Sequence, residues 1–279
     1  MMLVTAYLRH GLNFTCMYER EKAEKRNMPE KMRMKTNRRR RIKTSAVIEL
    51  ILLAAIAAAV FRVYVSDYYR ADAAAEQALE SDTVLVEQTD YGWFFDGPSE
   101  DTALVFYPGG KVEETAYAPL LHRIAAEGMD VCLAKMPFHL AVFDKDAAKD
   151  IMERHNYRQW YIGGHSLGGV MAADFAVRHS DRVTGVILLA AYPVKEIPSK
   201  LSELLLVGSR DRVINMDKVV EGRRNAPDRY EEYVIEGGNH AQFGSYGRQK
   251  GDGIPSISPE QQVQESVGYI TDYINRTAE

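Results

Sequence analysis

The sequence predicts an α/β fold in which a mostly parallel sheet is covered by helices on both faces. Its 279 residues, 46% hydrophobic and 27% charged, have the composition of a globular protein with a sizeable core. Strand-like segments then alternate with segments of helical spacing over most of the chain, which is typical of parallel sheets. No internal repeat interrupts this alternation. We therefore expect one large α/β domain.

The first two strand-like segments are separated by Asp90 and predict an antiparallel, hairpin-like entry to the sheet. Segments of helical spacing separate most of the later strands, from residue 103 onward, and no helix is predicted between residues 189 and 204. The predicted strands are residues 84–89, 91–95, 103–107, 131–134, 160–163, 183–189, 204–207 and 230–235. The predicted helices are residues 115–127, 144–154, 167–179, 216–225 and 259–276.

The N-terminal region differs from the rest in charge. Residues 1–61 contain 13 Lys and Arg against 5 Asp and Glu, whereas the remainder contains 22 against 34, a net charge of −12. A folded part this acidic disfavours nucleic-acid binding. We interpret residues 1–44 as a basic disordered tail, or as an over-extended start preceding Met28, Met32 or Met34. Cys16 and Cys132 lie far apart in unlike surroundings and predict no disulfide framework.

An apolar segment follows the basic run. Residues 45–61 would form a helix of about 26 Å, at the short end for crossing a bilayer. The preceding arginines predict a cytoplasmic N-terminus and place everything after Phe61 outside the cytoplasm. A cleaved signal peptide, followed by secretion, is the alternative, since residues 57–59 and 71–73 offer small-x-small sites. Residues 62–82 predict a helical linker, and the domain at 83–279 begins near Thr83.

A nucleophile elbow is predicted at residues 163–169, Gly-Gly-His-Ser-Leu-Gly-Gly. The pattern G-x-S-x-G needs a sharp strand-to-helix turn, where small neighbours allow the two elements to approach and the serine hydroxyl to project. Here the motif follows a β-like run and opens a helical one. Ser166 is therefore the candidate nucleophile.

A serine nucleophile needs a base, and the base needs an acid to orient it. The expected order is serine, acid, histidine, and Asp211 and His240 follow strand-like segments in that order. Asp217 is the alternative acid, although it resembles a helix-start residue. His139 follows a strand and could line a pocket. His165 occupies the variable position of the elbow, and we expect it to point away from the partner of the serine.

The remaining histidines, His122, His155 and His179, fall on predicted helices and are expected to be surface or packing residues. An acyl-transfer site also needs donors for the oxyanion. We expect the backbone N–H of Leu167 and one from the loop after the third strand, residues 108–111. Gly110 is the first choice in that loop and Lys111 the neighbouring option.

These residues resemble the α/β-hydrolase superfamily over roughly residues 83–279. Residues 106–112, 135–138 and 237–244 are similar to a branch of membrane-anchored bacterial hydrolases akin to dienelactone-hydrolase-like esterases. The resemblance implies an eight-stranded sheet, no metal or organic cofactor, and a carboxylic ester or related acyl substrate. Dienelactone hydrolases usually carry cysteine where this chain has Ser166, so the resemblance extends neither to their nucleophile nor to their substrate.

In this superfamily a lid usually enters between the sixth and seventh strands. Only about 14 residues separate Ala190 from Leu204, so we expect no large lid and an open site. The side chains predicted to wall an apolar acyl pocket, or equally to belong to the core, are Lys111, Met136, Phe138, Tyr192 and Phe243.

The resulting hypothesis is a carboxylesterase-like serine hydrolase whose partners are a small acyl substrate and, through its N-terminal helix, a membrane. An extracytoplasmic acyltransferase with the same residues is a second hypothesis, separable by product analysis with a competing alcohol. A non-catalytic, membrane-tethered binding module is a third, because a fold alone does not imply function.

Overall fold

The computed structural model describes residues 17, 20, 22–23, 26, 28–80, 83–98 and 101–278. It divides into two compact units, Met1–Tyr64 and Val65–Glu279. The long helix α1, Glu30–Ser66, forms most of the described part of the first unit. It contains a stretch, Ser45–Ser66, whose 22 residues are long and apolar enough to cross a membrane. By length and composition this stretch reaches five residues beyond the predicted end at 61.

The predicted disordered tail differs from the structure over residues 30–44, which are helical. Lys, Arg, Met and Glu favour helix, and extending an existing helix requires no new nucleus. The rest of the predicted tail lies mostly outside the described residues. The predicted helical linker is also helical only in part, because residues 67–72 are non-helical and Tyr69 pairs in parallel with Val112. Helix α2, Ala73–Leu79, follows. Its N-cap residue is Asp72, whose carboxylate accepts hydrogen bonds from the N–H groups of residues 74 and 75.

The second unit contains an eight-stranded, mostly parallel sheet of order β1-β2-β4-β3-β5-β6-β7-β8, which confirms the predicted fold class. The pairs β1–β2 and β2–β4 are antiparallel and the others are parallel. The strands are β1 Leu85–Thr89, β2 Gly92–Asp96, β3 Thr102–Tyr107, β4 Asp130–Ala134, β5 Gln159–His165, β6 Gly185–Leu189, β7 Ser202–Gly208 and β8 Arg229–Ile235.

Strands β3 to β7 are almost wholly buried, because helices cover both faces of the sheet. The further helices are α3 Ala118–Ala126, α4 Ala147–Met152, α5 Leu167–Arg178, α6 Met216–Gly222 and α7 Pro259–Thr277. Helices α3 and α7 contribute to one core cluster. Helices α4, α5 and α6 contribute to the cluster on the other face. Residues 190–201, between β6 and β7, contain no helix, in keeping with the prediction of no large lid.

Parallel pairing brings the carboxyl ends of strands β3 to β8 to one edge of the sheet. Tyr107 at the end of β3 is in register with Gly164 of β5, and Gly208 at the end of β7 is in register with Ile235 of β8. Loops that follow these strands therefore lie at a common edge, which is where open α/β sheets place their ligand sites.

Candidate active site

The elbow places Ser166 between the end of β5 and the start of α5. Its backbone has φ 51° and ψ −123°, a strained conformation for a residue with a Cβ. A Cβ on Gly164 would lie 2.7 Å from the carbonyl oxygen of Tyr107, and one on Gly168 would lie 2.2 Å from that of Pro108. Only glycine fits at both positions. The loop after β3 thus packs directly under the elbow, as the G-x-S-x-G pattern requires.

A buried hydrogen bond joins the loops that follow the last two strands. Nδ1 of His240 lies 2.7 Å from Oδ2 of Asp211, and both side chains are inaccessible to solvent. Oδ1 of Asp211 accepts from the N–H groups of Val213 and Ile214 at 2.8 and 2.9 Å. Because the carboxylate accepts at Nδ1, the neutral imidazole keeps its lone pair on Nε2. The pair therefore has the form of an oriented general base.

Ser166 makes no side-chain hydrogen bond among the described residues, and its exposure is intermediate. The structure therefore brings Asp211 and His240 into contact and places Ser166 at the same sheet edge, without a bond between the serine and the histidine. Apo sites often have such loose geometry. Asp217, the alternative acid, is exposed in the first turn of α6, behind the N-cap residue Asn215.

Two side chains that the sequence did not reveal hold the histidine loop, residues 236–244. Gln262 of α7 is fully buried and bonds both backbone groups of Asn239, at 2.9 and 2.8 Å. The carboxylate of Asp252 accepts from the N–H of Ala241 on one oxygen and from that of Arg212 on the other, at 2.9 and 3.2 Å. It ties the histidine loop to the aspartate loop. Neither residue belongs to a recognisable sequence motif, because both bond backbone groups that are distant in sequence.

The predicted oxyanion donors are close to each other. A Cβ on Gly110 would lie 2.9 Å from Cδ2 of Leu167, so the loop after β3 lies against the first residue of α5. The N–H of Lys111 already donates to the carbonyl of His139 at 2.8 Å. Lys111 is therefore not a free donor, which leaves Gly110 and Leu167 as the candidates.

A second buried network connects this loop to the elbow. The N–H of Gly109 donates to Oη of Tyr117 at 3.0 Å, and that oxygen lies 2.8 Å from Nδ1 of His165. Since the hydroxyl accepts from the amide, its own proton is available for Nδ1, and the neutral His165 carries its proton on Nε2. Nε2 is buried and has no hydrogen-bond partner in the described part of the chain.

His165 does not point away from His240, the candidate base, contrary to our expectation. Its ring centroid lies 4.5 Å from that of His240, and 5.7 Å from that of Phe243. Burial, with a smaller effect of the His240 imidazole, places the pKa of His165 well below its ordinary value. The imidazole is thus a neutral spacer between His240 and Tyr117.

The other histidines have structural partners. Nε2 of His122 bonds Thr83, the ring of His155 stacks on Phe94, and Nε2 of His179 lies 3.1 Å from Asp146. His122 lies on α3, while His179 caps α5 and His155 follows α4.

The predicted pocket residues occupy different environments. Met136 and Phe243 are buried in the core clusters on opposite faces of the sheet, and Tyr192 packs partly buried against the second cluster. Phe138 is 52% exposed and has a left-handed φ of 57°. Nζ of Lys111 pairs with Asp67 at 3.2 Å. Met136 and Phe243 are therefore core residues, which is the second of the two predictions made for them from the sequence.

A cleft of about 460 Å³ lies beside the histidine loop. Its lining includes Asp72, Gln242, Arg248 and Asp252, but neither Ser166 nor any predicted pocket residue. The described residues contain no group of three or more His, Cys, Asp or Glu side chains that could hold a metal ion.

Several solved structures of hydrolases have a similar fold. It is similar to a bacterial membrane phospholipase A described as a virulence factor, with a TM-score of 0.52 and 13% identity over 83% of this chain and 99% of that one. It is similar to epoxide hydrolase A from Mycobacterium thermoresistibile, with a TM-score of 0.54 and 10% identity over 69% and 98%. It is also similar to a serine hydrolase involved in carbazole degradation, with a TM-score of 0.50 and 12% identity over 67% of this chain and 99% of that one. At these identities the likeness shows the fold alone.

No curated protein matches the chain by sequence. The model of the alpha/beta hydrolase family matches residues 103–264, more than half of the chain. This span contains the elbow, the Asp211–His240 pair and the loop after β3. The fold and the family model agree with the resemblance found in the motifs, and the chain belongs to the alpha/beta hydrolase family.

Proposed function

We propose that this hydrolase is a serine esterase in which Ser166, His240 and Asp211 act as a catalytic triad. The observation that carries the proposal is the buried, correctly oriented Asp211–His240 pair at the sheet edge where the elbow presents Ser166. Family membership supports hydrolysis, while the choice of a carboxylic ester follows from the nucleophile type and the nearby N–H donors.

In the proposed reaction Oγ of Ser166 attacks the acyl carbon while Nε2 of His240 takes its proton. The N–H groups of Gly110 and Leu167 stabilise the tetrahedral oxyanion. The ester C–O bond then breaks, and the alcohol leaves with the proton from His240. Water, deprotonated by His240, attacks the acyl-enzyme, and the acid is released as Oγ regains its proton. Asp211 stabilises the imidazolium that forms in both halves.

We also propose that helix α1 anchors the enzyme in a membrane and that the catalytic unit lies outside the cytoplasm. The arginine run before Ser45 and the 22-residue apolar stretch support this topology. Protease added to intact cells should remove the catalytic unit, whereas protection in sealed cells would contradict the topology. Release of the unit into the medium would indicate cleavage of a signal peptide instead.

The catalytic proposal is tested on the full-length protein in detergent with a fluorophosphonate probe and a series of p-nitrophenyl esters from acetate upward. Ser166→Ala should abolish labelling, and Asp211→Ala and His240→Ala should lower turnover by about 10³-fold or more. Asp217→Ala is the matched control, since this exposed carboxylate lies nearby in the chain, and it should leave turnover unchanged. Labelling of Ser166→Ala at the wild-type rate would refute the assignment.

A further inference from the structure

The segment that follows the apolar stretch is attached to the loops of the candidate active site. The N–H of Tyr69 donates to the carbonyl of Lys111, and its carbonyl accepts from the N–H of Glu113, both at 2.8 Å. The ring of Tyr68 stacks on His139, with centroids 4.0 Å apart. We call residues 67–72 the tether. It contacts the loops after β3 and β4 at the edge that carries Ser166.

The tether also reaches the region of the histidine loop. The N–H of Asp72 donates to the carbonyl of Ser245 at 2.9 Å, and Oη of Tyr69 accepts from the N–H of Lys250 at 3.1 Å. Since it is bonded at both ends, the tether is not a free spacer of the kind that lets a domain move away from its anchor.

Chain length then limits the distance between the membrane exit and the active site. The apolar stretch ends at Ser66. Two residues, Asp67 and Tyr68, lie between Ser66 and Tyr69, and the three residue steps from Ser66 to Tyr69 cover at most about 11 Å in an extended chain. Tyr69 is bonded to Lys111, the neighbour of the candidate oxyanion donor Gly110. If Ser45–Ser66 spans the bilayer, Tyr69 and the loops bonded to it lie close to the membrane surface.

The same sheet edge carries exposed apolar side chains. They follow strands β4, β6 and β7, and we call them the apolar rim: Phe138, Val142, Phe143, Val194, Val213 and Met216, each between 37% and 56% exposed. Two of them, Phe138 and Phe143, are in edge-to-face contact with ring centroids 5.6 Å apart, and exposed apolar groups that share an edge with a site are typical of an interaction surface. A membrane surface fits this rim, because the tether holds that edge beside the point at which the chain leaves the bilayer.

We propose that the mouth of the active site faces the membrane that holds the anchor, and that the substrate is a long-chain carboxylic ester in that membrane. This inference rests on the proposed esterase function. The apolar rim inserts among the lipid headgroups, and the ester carbonyl reaches Ser166 from the leaflet without crossing bulk water. Short soluble esters can still enter, since residues 190–201 form no helical lid.

The test uses full-length enzyme reconstituted in vesicles of phosphatidylcholine and phosphatidylglycerol, with 4-methylumbelliferyl palmitate as the embedded probe. The probe is placed either in the same vesicles as the enzyme or in a second, enzyme-free population. We expect hydrolysis to be about 10-fold faster in the same vesicles, because membrane and tether raise the effective concentration of substrate at the site. Soluble p-nitrophenyl acetate reports on the catalytic residues independently.

Val142→Ser/Phe143→Ser should slow hydrolysis of the embedded ester by about 3- to 10-fold, since less apolar surface then enters the interface. It should leave p-nitrophenyl acetate turnover unchanged. Leu85→Ser is the matched control, because Leu85 is equally exposed but lies at the opposite end of the sheet, opposite Asp96. It should affect neither ester.

The outcomes separate the two proposals. Equal rates in the same and separate vesicles, together with full activity of the double variant on the embedded ester, would overturn the membrane-facing site while leaving the esterase intact. If the wild-type enzyme does not hydrolyse p-nitrophenyl acetate, the proposed esterase function itself is overturned. A preference for embedded probe that disappears in the double variant but not in Leu85→Ser supports the inference.

Discussion

Replacing Tyr117 by phenylalanine tests whether the buried network beneath the elbow positions the oxyanion loop. The change removes one oxygen and leaves the ring volume unchanged. It deprives the Gly109 N–H of its acceptor and Nδ1 of His165 of its donor, and all three groups are buried. Each buried polar group left without a partner costs about 1–3 kcal/mol, and two groups lose theirs, so we expect the free energy of unfolding to fall by about 2–6 kcal/mol.

The effect on catalysis should be larger than a general loss of stability would produce. Gly109 precedes the candidate donor Gly110, and a displaced oxyanion donor costs up to about 10²–10³ in kcat. Because the loop is loosened and not removed, we expect kcat to fall by about 10- to 100-fold with little change in KM. Kinetics with p-nitrophenyl butyrate and urea unfolding of the same samples measure the two effects separately.

Tyr161→Phe is the matched control. Tyr161 lies on β5, the strand that leads into the elbow, five residues before Ser166. Its hydroxyl lies 2.8 Å from the hydroxyl of Thr277, on the side of the sheet away from the edge that carries Ser166. It should lose about 1–2 kcal/mol of stability and keep its kcat. If Tyr117→Phe turned over substrate at the wild-type rate, or if both variants lost kcat equally, the positioning role would be refuted.

Four further substitutions test other parts of the structure. Burial, with the nearby Glu232 charge, raises the pKa of Glu203 from 4.5 to about 8. Between these pH values the free energy of unfolding of the wild type should fall with pH more steeply than that of Glu203→Gln, by up to about 1.4 kcal/mol per pH unit. Urea titrations of both proteins across this pH range measure the difference. Gln262→Leu should lower kcat at least about 10-fold by releasing the histidine loop. Gly168→Ala should prevent folding of the elbow, whereas Gly268→Ala on α7, where a Cβ meets nothing within 4 Å, should stabilise by about 0.5–1 kcal/mol in thermal melts.

The sign of the Glu203 prediction follows from proton binding. Between pH 4.5 and 8 the folded state keeps a proton that the unfolded state has released, so stability decreases as pH rises. Glu87→Gln, an exposed carboxylate on β1, is the control and should leave the profile unchanged. A profile of Glu203→Gln that runs parallel to the wild type would contradict the buried, protonated carboxyl.

Local patterns predicted the sheet and the positions of the candidate catalytic residues, because strand ends and tight turns leave signals in nearby residues. Ser166 was recognisable from two glycines that must be glycine on steric grounds, and Asp211 and His240 from their order after apolar strands. The groups that orient them were not predictable in this way. Tyr117, Gln262 and Asp252 act on backbone groups of distant segments, and nothing adjacent in sequence records those contacts.

The pocket residues show a second limit. Met136 and Phe243 are apolar residues after strand ends, which is the pattern of a pocket wall and also that of a core residue. Sequence patterns describe polarity and spacing but not which space remains empty after packing. The helical linker was mispredicted for a related reason, since the pairing of Tyr69 with Val112 is a long-range contact that overrides local helix propensity.

The attachment of residues 67–72 changes where the catalytic unit can be cut for expression. A fragment starting at Thr83, the predicted boundary, would lose the strand pairing of Tyr69, the cap at Asp72 and helix α2, and would expose apolar surface beside the histidine loop. A soluble fragment should instead begin at Val65, where the compact unit begins. Trimming the first few residues of that fragment should then damage catalysis before it damages the sheet, making the N-terminal end a sensitive place for proteolytic inactivation.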